Sequence, residues 1–306
     1  MKAKTVFKII DFSMDPIQNN GYKEFVKKNN ISVEHDIVYD EDFPEIRVGD
    51  LYMKDRGGDT NTKLPVFINA HGGGFVAGDK KHRRYFSAYI AEIGYAVFNI
   101  NYGVGPENKF PFCLQSIVIA MNWVEKNADK YNFDVSKVVL SGDSAGANIA
   151  ALGAIAATNA EFIKSIDMDP PTIKPAAVLL YCGPYDIATA MNAHVPLLPD
   201  LIGNIIIEST GYKKEDLQEF KYLNQFSPIE YINEDYPKAF LVYSQKDFFC
   251  KNHGELLEKS LREHGVSVSS FHSTKLLDNH CFHLNHNFKE AKEALDKSKE
   301  FLLSVI

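Results

Sequence analysis

From residue 64 onward, short apolar runs alternate with longer helical patterns, and this alternation limits the fold more than any other feature. The runs are PVFINA (65–70), YAVFNI (95–100), KVVLSG (137–142), AAVLLYC (176–182), AFLVYS (239–244) and VSVSSF (266–271). They are short and lack strict polar alternation, the pattern of strands buried on both faces. Helical patterns fall between them at 82–93, 112–128, 145–158, 252–264 and 288–305. Strands and helices in alternation imply an α/β protein with a mostly parallel, doubly wound sheet and helices on both faces. The more polar first 60 residues predict a helix at 22–28, strands at 31–38 and 46–53, and a turn at RGGDTNTK, 56–63.

Composition excludes several classes. Hydrophobic residues make up 45% of the 306 and charged residues 24%, too much apolar material for a disordered chain. The net charge of −7 argues against an electrostatic nucleic-acid binder. No apolar run approaches the length of a membrane span. Lys8 and Asp11 interrupt the one apolar stretch at the start, which does not read as a signal peptide. Cys113, Cys182, Cys250 and Cys281 are widely spaced and form no CxxC pair, so the expectation is reduced thiols in a cytoplasmic protein. One interval breaks the rhythm: more than fifty residues separate Cys182 from Ala239. Leu201, Ile202, Ile205 and Ile206 share one helical face there, so the interval reads as an inserted helical lid.

Two glycine-rich segments carry the chemical signal. GDSAG, 142–146, fits G-x-S-x-G between a buried strand and a helix of small residues. That strand–turn–helix setting is a nucleophile elbow, with Ser144 as the exposed hydroxyl. Taken alone, the pentapeptide is equally a glycine-rich turn with Ser144 as helix N-cap. HGGGF, 71–75, follows a strand and exposes backbone N–H groups suited to an oxyanion. A phosphate loop does not fit, because Asp79 stands where the lysine belongs, and the dinucleotide pattern fails at Ala77.

A serine nucleophile needs an acid and a base later in the chain. Asp247 follows AFLVYSQK, and Asp278 is its rival. The histidines beyond it are His253, His264, His272, His280, His283 and His286. His280 lies between the last strand and the last helix, where the base of such a fold belongs. The spacing of His280, His283 and His286 also raises a metal site, but no carboxylate stands at ligand spacing and H-E-x-x-H is absent.

The paired motifs HGGGF and GDSAG resemble the signatures of the hormone-sensitive-lipase-like carboxylesterases of the α/β-hydrolase fold. NYGVGPENKFP (101–111) is similar to that family's Y-R-L-A-P-E-x-x-F-P block, and HCF (280–282) to its H-G-F. The resemblance covers about 64 to the C-terminus. It implies Ser144 as nucleophile, His280 as base, Asp247 as orienting acid, and N–H groups of Gly72, Gly73 and Ala145 as oxyanion hole. It also implies a single domain over 1–306, capped by about 1–45 and an insertion at about 185–236, with Phe75, Leu201, Ile202 and Ile205 at the substrate. The function implied is hydrolysis of small esters with short acyl chains, without cofactor or metal. Partners would be the small-molecule ester alone, with no nucleic acid or membrane, and a homodimer. An amidase or deacetylase using the same triad is one alternative. A non-catalytic binding protein is another, as in the plant gibberellin receptors, which lost the histidine. Gly103, Ala147, Phe248 and Cys281 depart from the family pattern and bear on loop shape.

Overall fold

A computed structural model of the chain describes residues 2–58, 61–275 and 277–306, so the middle of the turn expected at 56–63 lies outside the described residues. The strands are β1 (Ile31–Val38), β2 (Val48–Lys54), β3 (Leu64–Ala70), β4 (Ala96–Ile100), β5 (Phe133–Asp143), β6 (Ala177–Tyr181), β7 (Lys238–Ser244) and β8 (Val268–Ser273). The helices are α1 (Ala3–Asn19), α2 (Tyr22–Lys28), α3 (Arg84–Ile93), α4 (Phe112–Lys126), α5 (Ala128–Tyr131), α6 (Ala145–Thr158), α7 (Ala160–Ile166), α8 (Ile187–Ala190), α9 (Leu201–Thr210), α10 (His253–Glu263) and α11 (Lys289–Leu303).

Among the described residues the strands form one sheet in the order β1-β2-β4-β3-β5-β6-β7-β8. β2 is antiparallel to both its neighbours, and β3 to β8 run parallel. This is the α/β-hydrolase fold. The runs without polar alternation are explained by helices on both faces. Along β3, Val66 and Ile68 face α4 and α6 through Leu114, Ile117 and Leu152, whereas Phe67 faces α3 and α11 through Phe86, Ile90 and Leu295. A period of two thus distributes one strand between two apolar layers. α6 is apolar all round because it is buried from Ala145 to Ala156. Among the described residues no single helix is long and apolar enough to cross a membrane.

Two differences from the sequence expectations bear on the site. β5 begins at Phe133 rather than 137, because Leu64 and Pro65 pair with Phe133 and Asp134 ahead of a register shift. The second is α1, a helix that the sequence reading left unassigned. Its Ala3, Val6 and Phe7 pack with Val76, Ala77, Val195 and Leu201. Its first N–H groups have no partner within the helix. Glu208 of α9 supplies one, accepting from the Ala3 N–H at 2.8 Å and the Lys4 N–H at 3.0 Å. A buried carboxylate at a helix N-terminus also meets the positive end of the dipole. The first 45 residues do not act as one cap element. α2 packs on α3, and β1 forms the edge of the sheet because its backbone pairs with β2.

Two histidines are sealed into this fold. His71 stacks on Tyr102 with centroids 4.3 Å apart, and His283 on Tyr181 at 3.9 Å. Burial pushes His71 down to about 4 and His283 to about 3, from an ordinary 6.5. Below pH 6.5 the unfolded chain takes up protons at both positions that the folded chain excludes. Stability is therefore full above that value and declines as the pH falls toward the folded-state values. We expect the melting temperature to drop between pH 7.5 and 5, and to drop less in His283→Phe; equal slopes in the two proteins would show that His283 titrates freely.

Candidate active site

The site starts from a backbone constraint. Ser144 joins β5 to α6 at φ 53° and ψ −121°, a strained conformation for a residue with a side chain. Its N–H donates to the Tyr181 carbonyl at 2.8 Å. The turn brings α6 against the end of β3, and only glycine fits the contact. A Cβ on Gly146 would stand 2.0 Å from the Ala70 carbonyl oxygen, and one on Gly142 2.4 Å from Gly146. The two glycines of the motif are therefore fixed by packing, and the serine between them is lifted clear of the sheet.

The serine meets residues that arrive from the ends of later strands. His280 Nε2 lies 2.8 Å from Ser144 Oγ, and His280 Nδ1 lies 2.8 Å from Asp247 Oδ2. A carboxylate only accepts, so the ring proton sits on Nδ1 and leaves Nε2 free to take the serine proton. Asp247, in the turn after β7, is 2% exposed. Its Oδ1 accepts from the N–H groups of Phe249 at 2.9 Å and Cys250 at 2.8 Å. Burial alone would raise its pKa, but the His280 ring and those two N–H groups hold it below the ordinary carboxylate value. The rival Asp278 is turned away, accepting from Ser273. The other histidines are held elsewhere: His253 Nδ1 accepts from the Tyr185 N–H, His283 is sealed against Tyr181, and His286 stacks on Tyr85. The 280/283/286 spacing therefore gathers no common site.

The HGGGF turn sits beside Ser144 because Ala70 of β3 pairs with Gly142 of β5. Its own hydrogen bonds run from Val76 and Ala77 N–H to the Gly73 carbonyl, and so do not use the Gly72 and Gly73 N–H groups. Gly73 takes φ 132°, and a Cβ there would stand 2.1 Å from the Ala77 carbonyl oxygen. Ala145 is the first residue of α6, so its N–H has no partner in that helix. Behind the turn lies a pair the sequence did not reveal. Arg83 grips Asp143 with two bonds, Nε to Oδ1 at 2.5 Å and Nη2 to Oδ2 at 2.6 Å, and both side chains are buried. Burial opposes the charge on Asp143, but Arg83 outweighs it and keeps the carboxyl below its ordinary value.

A small apolar cavity of about 70 Å³ opens onto Ser144. Phe75, Ile202 and Ile205 line it, whereas Leu201 does not: it is 3% exposed and packs into the α1 cluster. The helix turn at 201–206 is wide enough to divide this apolar set between α1 and the cavity. Residues not foreseen as lining are Phe7, Met191, Ile206, Phe226 and Phe249. Phe7 comes from α1, whose Ala3-Val6-Phe7 spacing was the available signal.

Fold and geometry together define an α/β hydrolase with a serine–histidine–aspartate array at the C-terminal edge of its parallel strands. The BD-FAE family model matches residues 50–261, and the chain belongs to that family and to the hormone-sensitive-lipase-like carboxylesterases. Esterase LipQ of Mycobacterium tuberculosis is 26% identical over 68% of this chain and 48% of its own. The chain thus spans about half the length of that relative. Probable carboxylesterase 3 of Arabidopsis thaliana is 25% identical over 94% of this chain and 95% of its own. In structure, esterase B of Lactobacillus rhamnosis superposes with a TM-score of 0.78 at 20% identity, covering 97% of this chain and 96% of the other. An esterase of Pyrobaculum calidifontis gives 0.76 at 23%, covering 100% and 94%.

The buried pair beneath the turn generates a stability prediction. Removing Arg83 leaves Asp143 charged and unpaired in the core, which costs about 3–5 kcal/mol. Urea unfolding of Arg83→Ala is expected to show a loss in that range. A loss below about 1 kcal/mol would mean that the pair is solvated and does not support the site.

Proposed function

We propose that the protein hydrolyses small carboxylic esters, with short acyl chains preferred, through an acyl-enzyme on Ser144. The observation that carries this reading is the continuous hydrogen-bonded line from Ser144 Oγ through His280 to Asp247, with both links at 2.8 Å, beside a small apolar cavity. In this reading His280 Nε2 takes the serine proton as Oγ attacks the ester carbonyl. Asp247 holds the ring in the correct tautomer and stabilises the imidazolium. The N–H groups of Gly72, Gly73 and Ala145 receive the oxyanion, a preorganised interaction in which each donor is typically worth about 10²–10³ in turnover. His280 then protonates the leaving alcohol, and a water activated by the same ring releases the acid.

The preference for short chains is supported by the size of the cavity. At about 70 Å³ the cavity is small for a ligand site and its lining is apolar, which favours a short acyl chain over a long one. We read α1 and the insertion at about 185–236 as the cap over this space, with Phe7 contributed by α1 and Ile202, Ile205 and Ile206 by α9.

A series of p-nitrophenyl esters tests the reading. We expect kcat/KM to be highest between acetate and butyrate and at least about tenfold lower for decanoate, given the cost of methylenes a pocket cannot hold. Asp247→Asn is expected to lower kcat by about 10⁴, and Ser144→Ala to abolish turnover. Wild-type rates in Ser144→Ala would sink the mechanism, and a preference for decanoate would sink the assigned chain length.

A further inference from the structure

Three cysteines far apart in the sequence, Cys182, Cys250 and Cys281, come near one another beside the site, and the mechanism uses none of them. Cys281 follows His280 directly, but its Sγ lies 3.7 Å from Asp143 Oδ2, on the side of the buried ion pair. Cys182 follows β6 and is buried. Cys250 is placed differently. It closes the turn that begins at Asp247, donates its N–H to Asp247 Oδ1, and lines the cavity beside Ser144. Its Sγ, a carboxylate oxygen of Asp247 and a ring nitrogen of His280 all lie within 4.8 Å of one another. Thiolate, imidazole and carboxylate together are the donor set that zinc and its heavier, thiophilic relatives select. Tetrahedral bonds of about 2.0–2.3 Å need donors roughly 3.3–3.8 Å apart, so side-chain movements of about 1 Å complete the site.

We propose that Cys250, His280 and Asp247 form an inhibitory site for a thiophilic divalent cation, Zn²⁺ or Cd²⁺, which shuts the enzyme reversibly by capturing its base. The inhibitory consequence rests on the triad reading above; the binding does not. Binding replaces the S–H bond of Cys250 with a metal–sulfur bond, and the displaced proton goes to solvent. His280 stays neutral and gives one ring lone pair to the metal. Bound through Nδ1, it carries its proton on Nε2 and cannot accept the serine proton. Bound through Nε2, it is lost to Ser144 altogether. Without metal, burial pushes the Cys250 thiol well above its ordinary value, and Asp247 adds to that, so the side chain is a protonated, inert thiol. Metal affinity therefore rises with pH as the competing proton becomes scarcer.

The test is calorimetric titration of the full chain with Zn²⁺, paired with Co²⁺ absorption, on wild type and on Cys250→Ser, Cys250→Ala, His280→Ala and Cys281→Ser. Circular dichroism checks that each variant is folded. We expect wild type to bind one Zn²⁺ with a Kd of about 10 μM or tighter. Affinity is expected to fall at least about tenfold in both Cys250 variants and in His280→Ala, and to be unchanged in Cys281→Ser. A thiolate-to-cobalt charge-transfer band present in wild type and missing from the Cys250 variants identifies the ligand. Absence of binding at about 1 mM, or binding that either Cys250 variant retains, overturns the proposal. These readouts do not depend on turnover. A chain that binds zinc through Cys250 and hydrolyses no ester keeps the metal site, loses its inhibitory consequence and refutes the function proposed above.

Discussion

The contact between Gly146 and the Ala70 carbonyl is the constraint on which the site depends. β3 and β5 are parallel neighbours, so their C-terminal ends finish side by side at Ala70 and Gly142. The chain leaves β3 into the HGGGF turn and leaves β5 into the Ser144 elbow. Because no Cβ intervenes at 142 or 146, the first turn of α6 closes onto the end of β3. Hydroxyl, helix N-terminus and glycine turn are brought together by one piece of close packing. The strain at Ser144 is held by surroundings that leave the backbone no alternative: a strand buried throughout on one side and a buried helix on the other.

Around that contact the protein buries charge, which an apolar interior tolerates only when the charge is paired. Asp143 is matched by the fork of Arg83, and Asp247 by His280 and two backbone N–H groups. The two aspartates flank the serine in different roles. The first ties the elbow to the segment after HGGGF, since Arg83 stands just ahead of α3. The second reaches the histidine that faces the hydroxyl. α1 is joined to α9 by Glu208, which accepts from the Ala3 and Lys4 N–H groups, and to the segment ahead of α3 by the Asp15–His82 pair.

Much of the architecture was legible because it rests on local signals. Six apolar runs and the helices between them reported a sheet covered on both faces, and each became a strand or helix within a few residues. Ser144 was legible from its own pentapeptide, and the position of His280 from fold order. Arg83 was not, because nothing at position 83 announces that Asp143, sixty residues later, will be buried against it. The place of Leu201 was missed for a related reason. A helical face of apolar residues shows that a helix is covered, not which neighbour covers each residue, and α1 takes Leu201 while the cavity takes Ile202. α1 itself was hidden because Lys8 and Asp11 break its apolar run, as the polar face of an amphipathic helix does, and Pro16 masked its second half. The convergence of Cys250 on Asp247 and His280 needed the fold, since His280 is thirty residues further along.

The central claim is that Ser144, activated through His280, is the nucleophile. Labelling with a fluorophosphonate followed by peptide mass mapping tests it most directly. The account predicts a single adduct, on Ser144, absent in Ser144→Ala and formed far more slowly in His280→Ala. A folded wild-type protein that stays unlabelled, or carries the adduct on another residue, would contradict it.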